Sequence, residues 1–276
     1  MVLNVGKKQA KTKLITVVNQ KGGVGKTTTV LNLATCLSAT GKKVLIIDLD
    51  AQGNASTGLG ILPEERKLST YDLIVAEESL SKLIKETKIP NLFIVPANSD
   101  LASVDMDLVN SDQRALKLRI SLENELSKQT AFDYVFMDCP PALNLLTVNS
   151  LVSANMVVIP LQTEFFALEG LSQLMLTIKE IRNTFNTELR ILGVLLTMFD
   201  KRNNLSIQIE EDVRSTLSDL VFKTMIPRNV KLSEAPSYSL PGVIYDRKCL
   251  GSVAYQKLAA EFLKREKIFF DSPDKR

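Results

Sequence analysis

The 276-residue chain contains no histidine, and its three cysteines, Cys36, Cys139 and Cys249, lie far apart with no C-x-x-C pair. The first absence excludes a Ser-His-Asp triad and any histidine-ligated metal. The second argues against a disulfide framework or a zinc site and fits a reducing cytosol. The N-terminus, MVLNVGKKQAKTK, has four lysines, no acid and no apolar core, so it does not read as a secretory signal. No apolar run approaches the roughly 18 residues that suggest a membrane-spanning helix. A net charge of +3 is too small to demonstrate a polyanionic partner and leaves one open. Catalysis must therefore draw on carboxylates, lysines, backbone amides and a metal ion.

With 45% hydrophobic residues the chain can bury a large core as one α/β domain. Strand candidates recur between helical stretches at Leu14–Val18, Val44–Asp48, Leu92–Val95, Tyr134–Asp138, Met156–Pro160, Ile191–Thr197 and Val221–Ile226. Most are nearly continuous apolar runs, which predicts a mostly parallel central sheet with helices on both faces. In such sheets ligands sit at the carboxyl ends of the strands. One domain is expected over residues 14–270, between a lysine-rich tail (1–13), expected to be disordered, and a short polar tail (271–276).

The first strand runs into NQKGGVGKTTT, Asn19 to Thr29. A strict phosphate-binding loop, G-x-x-x-x-G-K-[ST], would have glycine where this chain has Gln20, so the loop is a variant. Gly22, Gly23, Gly25, Lys26 and Thr27 survive, and strand, loop and helix follow in order. Glycines let successive N–H groups converge on one concavity, the helix N-terminus adds partial positive charge, and Lys26 adds a full one. Thr27 would place its hydroxyl on Mg²⁺. The plainer alternative is a glycine-rich turn before an ordinary helix. A dinucleotide fingerprint fails, because Thr28 stands where its third glycine should be.

Two further strand ends carry acids. In IIDLDAQGNAST, Asp48 and Asp50 are two apart, so in extended chain both project to one side and Leu49 to the other. In VFMDCPPALN an apolar strand delivers Asp138 beside Pro140 and Pro141, the Walker B arrangement that holds Mg²⁺ through its water shell. A lone aspartate at a strand end is ordinarily a cap or turn residue. Two such ends in a chain with a phosphate loop favour the metal reading.

Together, NQKGGVGKTTT, DLDAQGNASTGLG, DCPPALNLLTVNSL, PLQTEFFALEGL, LLTMFD and IPRNVKLSEAPSYSLPGVIYD resemble the ParA/Soj family of chromosome and plasmid partitioning ATPases, from about Leu14 to Phe262. The resemblance implies a P-loop NTPase fold of the deviant Walker A class. It implies a homodimer sandwiching ATP, in which Lys26 binds its own phosphates and Lys21 reaches the partner's nucleotide. The nucleotide set would be Lys21, Gly22, Gly23, Val24, Gly25, Lys26, Thr27 and Thr28, with Pro227, Arg228 and Asn229 against the adenine. It further implies Asp50 as the carboxylate orienting the attacking water, Asp138 with Thr27 at Mg²⁺, and Asp48 near the metal. No N-K-x-D guanine signature is present, so ATP is expected over GTP. The chain departs from the family pattern at Ala51 (proline), Asn144 (glycine), Ser239-Leu240 (glycine-lysine) and Cys249 (serine). The first departure bears on hydrolysis rate, and the second on coupling between ATP and dimerisation. Without the resemblance, Lys21 reads as a solvated lysine at a loop entrance. With it, a cation supplied by a neighbour makes phosphoryl transfer conditional on assembly.

Positive charge gathers late in the chain: Val221 to Lys257 holds six Lys or Arg against two acids, and the loop after LLTMFD opens with Lys201-Arg202. In the family this half forms a face for nonspecific double-stranded DNA, which makes Lys201, Arg202, Lys223, Lys231, Arg247, Lys248 and Lys257 candidates for phosphate contacts. Singly, each is ordinarily a surface charge. A ParB-like partner that stimulates hydrolysis is also implied. Finally, VAYQKLAAEFLKREKIFF places Tyr255, Leu258, Ala259 and Phe262 on one helical face. Its end, Lys264 to Phe270, mixes bases with Ile268, Phe269 and Phe270, as a membrane-surface helix would. That sustains a second reading, a MinD-like ATPase whose switch controls membrane attachment. The PRNVKLSEAPS block is more typical of the DNA branch, so the expectation is a cytoplasmic, nucleoid-associated ATPase.

Overall fold

The computed structural model describes residues 12–126, 132–165 and 167–271. Its sheet has seven strands: β1 (Lys13–Val17), β2 (Val44–Asp48), β3 (Lys85–Glu86), β4 (Leu92–Val95), β5 (Tyr134–Asp138), β6 (Met156–Gln162) and β7 (Arg190–Thr197), in the order β3-β4-β2-β5-β1-β6-β7. Every pairing is parallel except β3 with β4. Every residue of β2 (VLIID) and β5 (YVFMD) is buried, as continuous apolar runs in a doubly covered sheet require.

Alternate side chains feed two cores. On one face Ile15, Ile46 and Phe136 meet helix α1 (Lys26–Ser38) and the C-terminal helix (Leu250–Asp271), through Leu33, Leu37, Leu258 and Phe262. On the other, Leu45, Ile47 and Met137 meet the helices Lys117–Leu126, Leu145–Ser153 and Ala167–Thr184, through Leu122, Leu151 and Leu174. Each fully buried side chain of this size contributes about 1.5–3 kcal/mol.

The expected strand Val221–Ile226 is not one. The segment follows β7 with isolated bridges only, Val194 to Val221 and Phe199 to Pro227. Its polar middle explains why: the N–H groups of Lys223 and Thr224 donate to the Glu261 carboxylate, at 2.7 and 2.9 Å, instead of to a ladder. The short antiparallel β3, with only two residues, carries no apolar pattern from which to predict it.

Both ends differ from expectation. Lys13, assigned to the tail, opens β1: its N–H donates to Asp133 O at 3.1 Å and its ammonium pairs with Glu266. Asp271 ends the C-terminal helix. The rest of the predicted tails, 1–11 and 272–276, lies outside the described residues. Toward its end the C-terminal helix is docked, with Glu266 buried and accepting from Tyr134 Oη at 3.3 Å. Phe269 packs on the core with the Arg190 guanidinium 5.6 Å from its ring centre. Ile268 and Phe270 are exposed.

Register brings the chemistry to one place. Asp138 at the end of β5 pairs level with Asp48 at the end of β2 and with Val17 at the end of β1. The phosphate-loop sequence thus leaves the sheet beside both carboxylates.

Candidate functional site

The loop Val18–Gly25 connects β1 to α1. Gly25, its last residue, has φ 90 and serves as the N-cap of α1, a left-handed conformation that a side chain would strain. Thr197, the last residue of β7, donates from Oγ1 to Val24 O at 2.8 Å. Asn19 Nδ2 donates to Pro160 O at 2.7 Å. Gln20, where the strict pattern has glycine, donates from Nε2 to Gly170 O at 3.0 Å and so ties the loop to the helix Ala167–Thr184. The departure from the motif is a tether.

The two lysines of the loop point to different places. Lys26 is 7% exposed and donates from Nζ to Lys21 O at 2.8 Å. Burial lowers its pKa, opposed chiefly by the negative charge of Asp138. Lys21 lies on the rim, with its side chain 49% exposed, and its ammonium pairs with Glu164 in the loop after β6.

The two strand-end carboxylates differ in their bonding. Asp48 is fully buried and already engaged: Oδ2 accepts from Ser56 N (2.9 Å) and Ser56 Oγ (2.7 Å), and Oδ1 from Asp50 N (3.2 Å). Burial pushes its pKa up to about 6 even so. Asp138 is equally buried, and neither of its oxygens has a hydrogen-bond partner. The Thr27 hydroxyl lies near enough to favour its charged form without completing a bond. Burial first, and Asp48 second, hold the Asp138 pKa well above the usual carboxylate range. Orphaned oxygens on a buried carboxylate, next to a hydroxyl and below a phosphate-type loop, fit a hard divalent cation. Of the two acids Asp138 is the better suited to it, and Asp48 anchors the chain that follows β2.

That chain carries Asp50, half-buried in the turn between β2 and helix α2 (Asn54–Gly58), with Oδ1 accepting from Gln52 N at 3.0 Å. Its N–H donates to Asp48 Oδ1 at 3.2 Å, which places it beside the buried acids, and its charge acts on Lys26, Asp48 and Asp138.

A cleft of about 160 Å³ opens beside the loop, lined by Gly25, Thr28, Thr197, Met198, Ile226, Pro227, Arg228, Asn229, Leu232, Ser233 and Tyr255. The Pro227–Asn229 segment therefore meets the phosphate loop across an apolar slot suited to a flat base. Asn229 does not aim its side chain there exclusively, since Oδ1 caps the helix Val230–Glu234 by accepting from Lys231 N at 3.0 Å.

The seven basic candidates, Lys201, Arg202, Lys223, Lys231, Arg247, Lys248 and Lys257, are all exposed. Two are already paired within the chain, Arg202 by two bonds to Asp200 and Lys231 to Glu234. Among the departures, Asn144 has a local role as the N-cap of the helix Leu145–Ser153, where Oδ1 accepts from Thr147 N at 3.1 Å. Ser239 adopts φ 56, a conformation a glycine takes freely.

Sequence reasoning missed Glu164, Ser56 and Thr197. Thr197 was within reach, because it ends a predicted strand at the carboxyl edge. Glu164 and Ser56 give no local signal, since each matters through a partner brought to it by the fold.

Comparison with known proteins follows the same lines. A family model described as an AAA domain matches residues 12–191. The chain is 49% identical over 255 residues to the chromosome partitioning protein ParA of Caulobacter vibrioides, covering 92% of this chain and 95% of that one. It is 47% identical over 249 residues to the sporulation initiation inhibitor protein Soj of Bacillus subtilis, covering 90% and 97%. Its fold matches the crystal structure of cobyrinic acid a,c-diamide synthase from Mycobacterium smegmatis with bound ATP analogue and magnesium. That match has a TM-score of 0.81 at 34% identity and covers 93% and 96% of the two chains.

Proposed function

Because the chain belongs to the ParA/Soj family of partitioning ATPases, we propose that it segregates DNA as a homodimer closed around two Mg·ATP. That dimer binds double-stranded DNA without sequence preference, and hydrolysis, stimulated by a ParB-like partner, releases it. The protein is an ATPase that uses ATP and Mg²⁺. The observation that carries the dimer is the divergence of two lysines in one loop, Lys26 buried with its ammonium on the Lys21 carbonyl and Lys21 exposed on the rim. A cation facing outward from a phosphate loop is placed to serve a second molecule.

In this reading the backbone from Gly22 to Thr28, with Lys26, binds the phosphates, and the slot at Pro227–Asn229 receives the adenine. Thr27 and Asp138 are the residues that would hold Mg²⁺, with Asp48 fixing the neighbouring turn. The ion, when bound, neutralises charge on the phosphate oxygens. Asp50 orients the attacking water. Lys21 adds its charge to the partner's nucleotide, so that turnover waits on assembly.

Exposure of all seven basic candidates supports the DNA surface. For the membrane alternative, no helix among the described residues is long and apolar enough to cross a bilayer. The docking of Glu266 and Phe269 leaves Ile268 and Phe270 as the exposed apolar side chains of that end. Parallel sedimentation with DNA and with anionic liposomes, each with ATP, ADP or no nucleotide, tests the reading. ATP-dependent pelleting with DNA that weakens as salt rises is expected. Pelleting with liposomes alone, or DNA retention indifferent to salt, overturns it.

A further inference from the structure

Near the nucleotide site lies a buried cation that phosphate binding does not use. Arg66 is 7% exposed, and among the described residues no carboxylate pairs with it. Its guanidinium donates instead to neutral oxygens: Nε and Nη2 to Ile61 O at 3.1 and 2.6 Å, Nη2 to Thr57 Oγ1 at 2.8 Å, and Nη1 to Gly53 O at 3.3 Å. Asp48, Glu64 and Glu65 act on it only from beyond ion-pair distance, and burying a guanidinium that no carboxylate touches is costly. What offsets that cost is the set of groups the planar fork organises.

All three acceptors lie on the segment that follows Asp50. Gly53 N donates to Asp50 O at 2.8 Å, which closes the turn bearing the carboxylate. Gly53 then caps α2 in the left-handed region at φ 61, and a Cβ at this position would overlap Arg66 Nη1. Thr57, one turn into α2, donates from Oγ1 back to Gly53 O at 3.0 Å. Ile61 lies where the chain leaves that helix. From the other side, Asn98 Nδ2, just beyond β4, donates to Arg66 O at 3.4 Å. The side chain thus fastens the Asp50 turn and the helix behind it, while the backbone carbonyl of Arg66 is held by Asn98 beyond β4.

We propose that Arg66 is a positioning residue for hydrolysis, holding the Asp50–Gly53 turn so that Asp50 meets the attacking water in one orientation. The proposal rests on the reading of Asp50 given above. Lysine cannot replace arginine here, because a single ammonium lacks the planar fork that reaches three acceptors at once.

Steady-state hydrolysis and equilibrium Mg·ATP affinity of Arg66→Lys, Arg66→Ala and Thr57→Val test it, with Asp50→Ala as reference and every measurement made below the variant's own melting transition. Both Arg66 variants should lower kcat about 10-fold or more, with the Mg·ATP Kd unchanged within about twofold. Thr57→Val, which removes one acceptor, should lower kcat in the same direction by less. If Arg66→Ala does not fold, Arg66→Lys and Thr57→Val carry the same expectation. Wild-type kcat in Arg66→Lys, or a loss of affinity that matches the loss of kcat, overturns the role of Arg66 and leaves that of Asp50 standing. Wild-type hydrolysis by Asp50→Ala overturns both.

Discussion

The ammonium of Lys21 is held by Glu164 of its own chain, 143 residues away in sequence. The lysine assigned to a neighbour's nucleotide is therefore engaged at home, and it must leave Glu164 before it can cross a dimer interface. Both partners are partly exposed, so the pair is worth about 1 kcal/mol or less. Glu164→Gln should accordingly raise ATP-dependent dimer formation by up to about fivefold, measured by light scattering after size exclusion. Lys21→Ala should keep monomeric ATP binding while losing both dimer and hydrolysis. A Lys21→Ala variant that turns over ATP normally defeats the assignment.

Asp50 lies in a turn, with its side chain held only by Gln52 N among the hydrogen bonds of the described residues. Removing it leaves the phosphate loop and Asp138 intact. Asp50→Ala should bind Mg·ATP, accumulate as the ATP-bound dimer, and release phosphate about 100-fold more slowly or worse. A variant that stays monomeric with ATP contradicts the role.

Asp138 is a buried carboxylate with two unpartnered oxygens. Without a metal such a group destabilises the fold, and with one it is satisfied. Asp138→Asn, which removes the buried charge but keeps a polar group there, should leave the nucleotide-free protein at least as stable as the wild type. It should also abolish most of the extra thermal stabilisation that Mg²⁺ adds to ATP. Calorimetry with ATP plus Mg²⁺ and with ATP plus a chelator reads both effects; an unchanged Mg²⁺ increment would remove Asp138 from the metal site.

Glu261 supports the segment beside β7 by accepting from two backbone N–H groups and pairing with Arg265. Burial works to raise its pKa, but the bonds from Lys223, Thr224 and Arg265 outweigh burial and leave it lowered. A carboxyl group with a depressed folded pKa stabilises above its unfolded value and loses that contribution as pH falls through the folded one. Glu261→Gln should cost about 1–2 kcal/mol at neutral pH. The gap from wild type should narrow below about pH 4. Denaturant titrations at both pH values decide it, and a gap independent of pH rules out the carboxylate as the source.

The parallel sheet and the phosphate loop were legible because their signals are local. Apolar runs such as VLIID and YVFMD show burial on both faces, and the order of glycines, Lys26 and Thr27 shows a phosphate cradle. Lys26 was singled out by the loop motif, Asp48 and Asp138 by the rule that ligands gather at strand ends, and register brings the two acids level. What stayed hidden depends on distant partners. Glu164 acquires its meaning from Lys21, and Arg66 from carbonyl oxygens that every residue possesses. The segment Val221–Ile226 reads as a strand until Glu261, on the C-terminal helix, takes two of its amides.

That interrupted segment also bears on how the protein behaves in a crowd. β7 is the last strand of the sheet, and an edge with a full row of free amides and carbonyls invites a strand from another chain. Here the edge is followed by a segment whose donors turn partly inward to β7 and partly to a carboxylate, so among the described residues no continuous ladder faces outward on this side. The β7 edge is thereby withdrawn as a template for strand addition, and the protein can be concentrated without that route to aggregation.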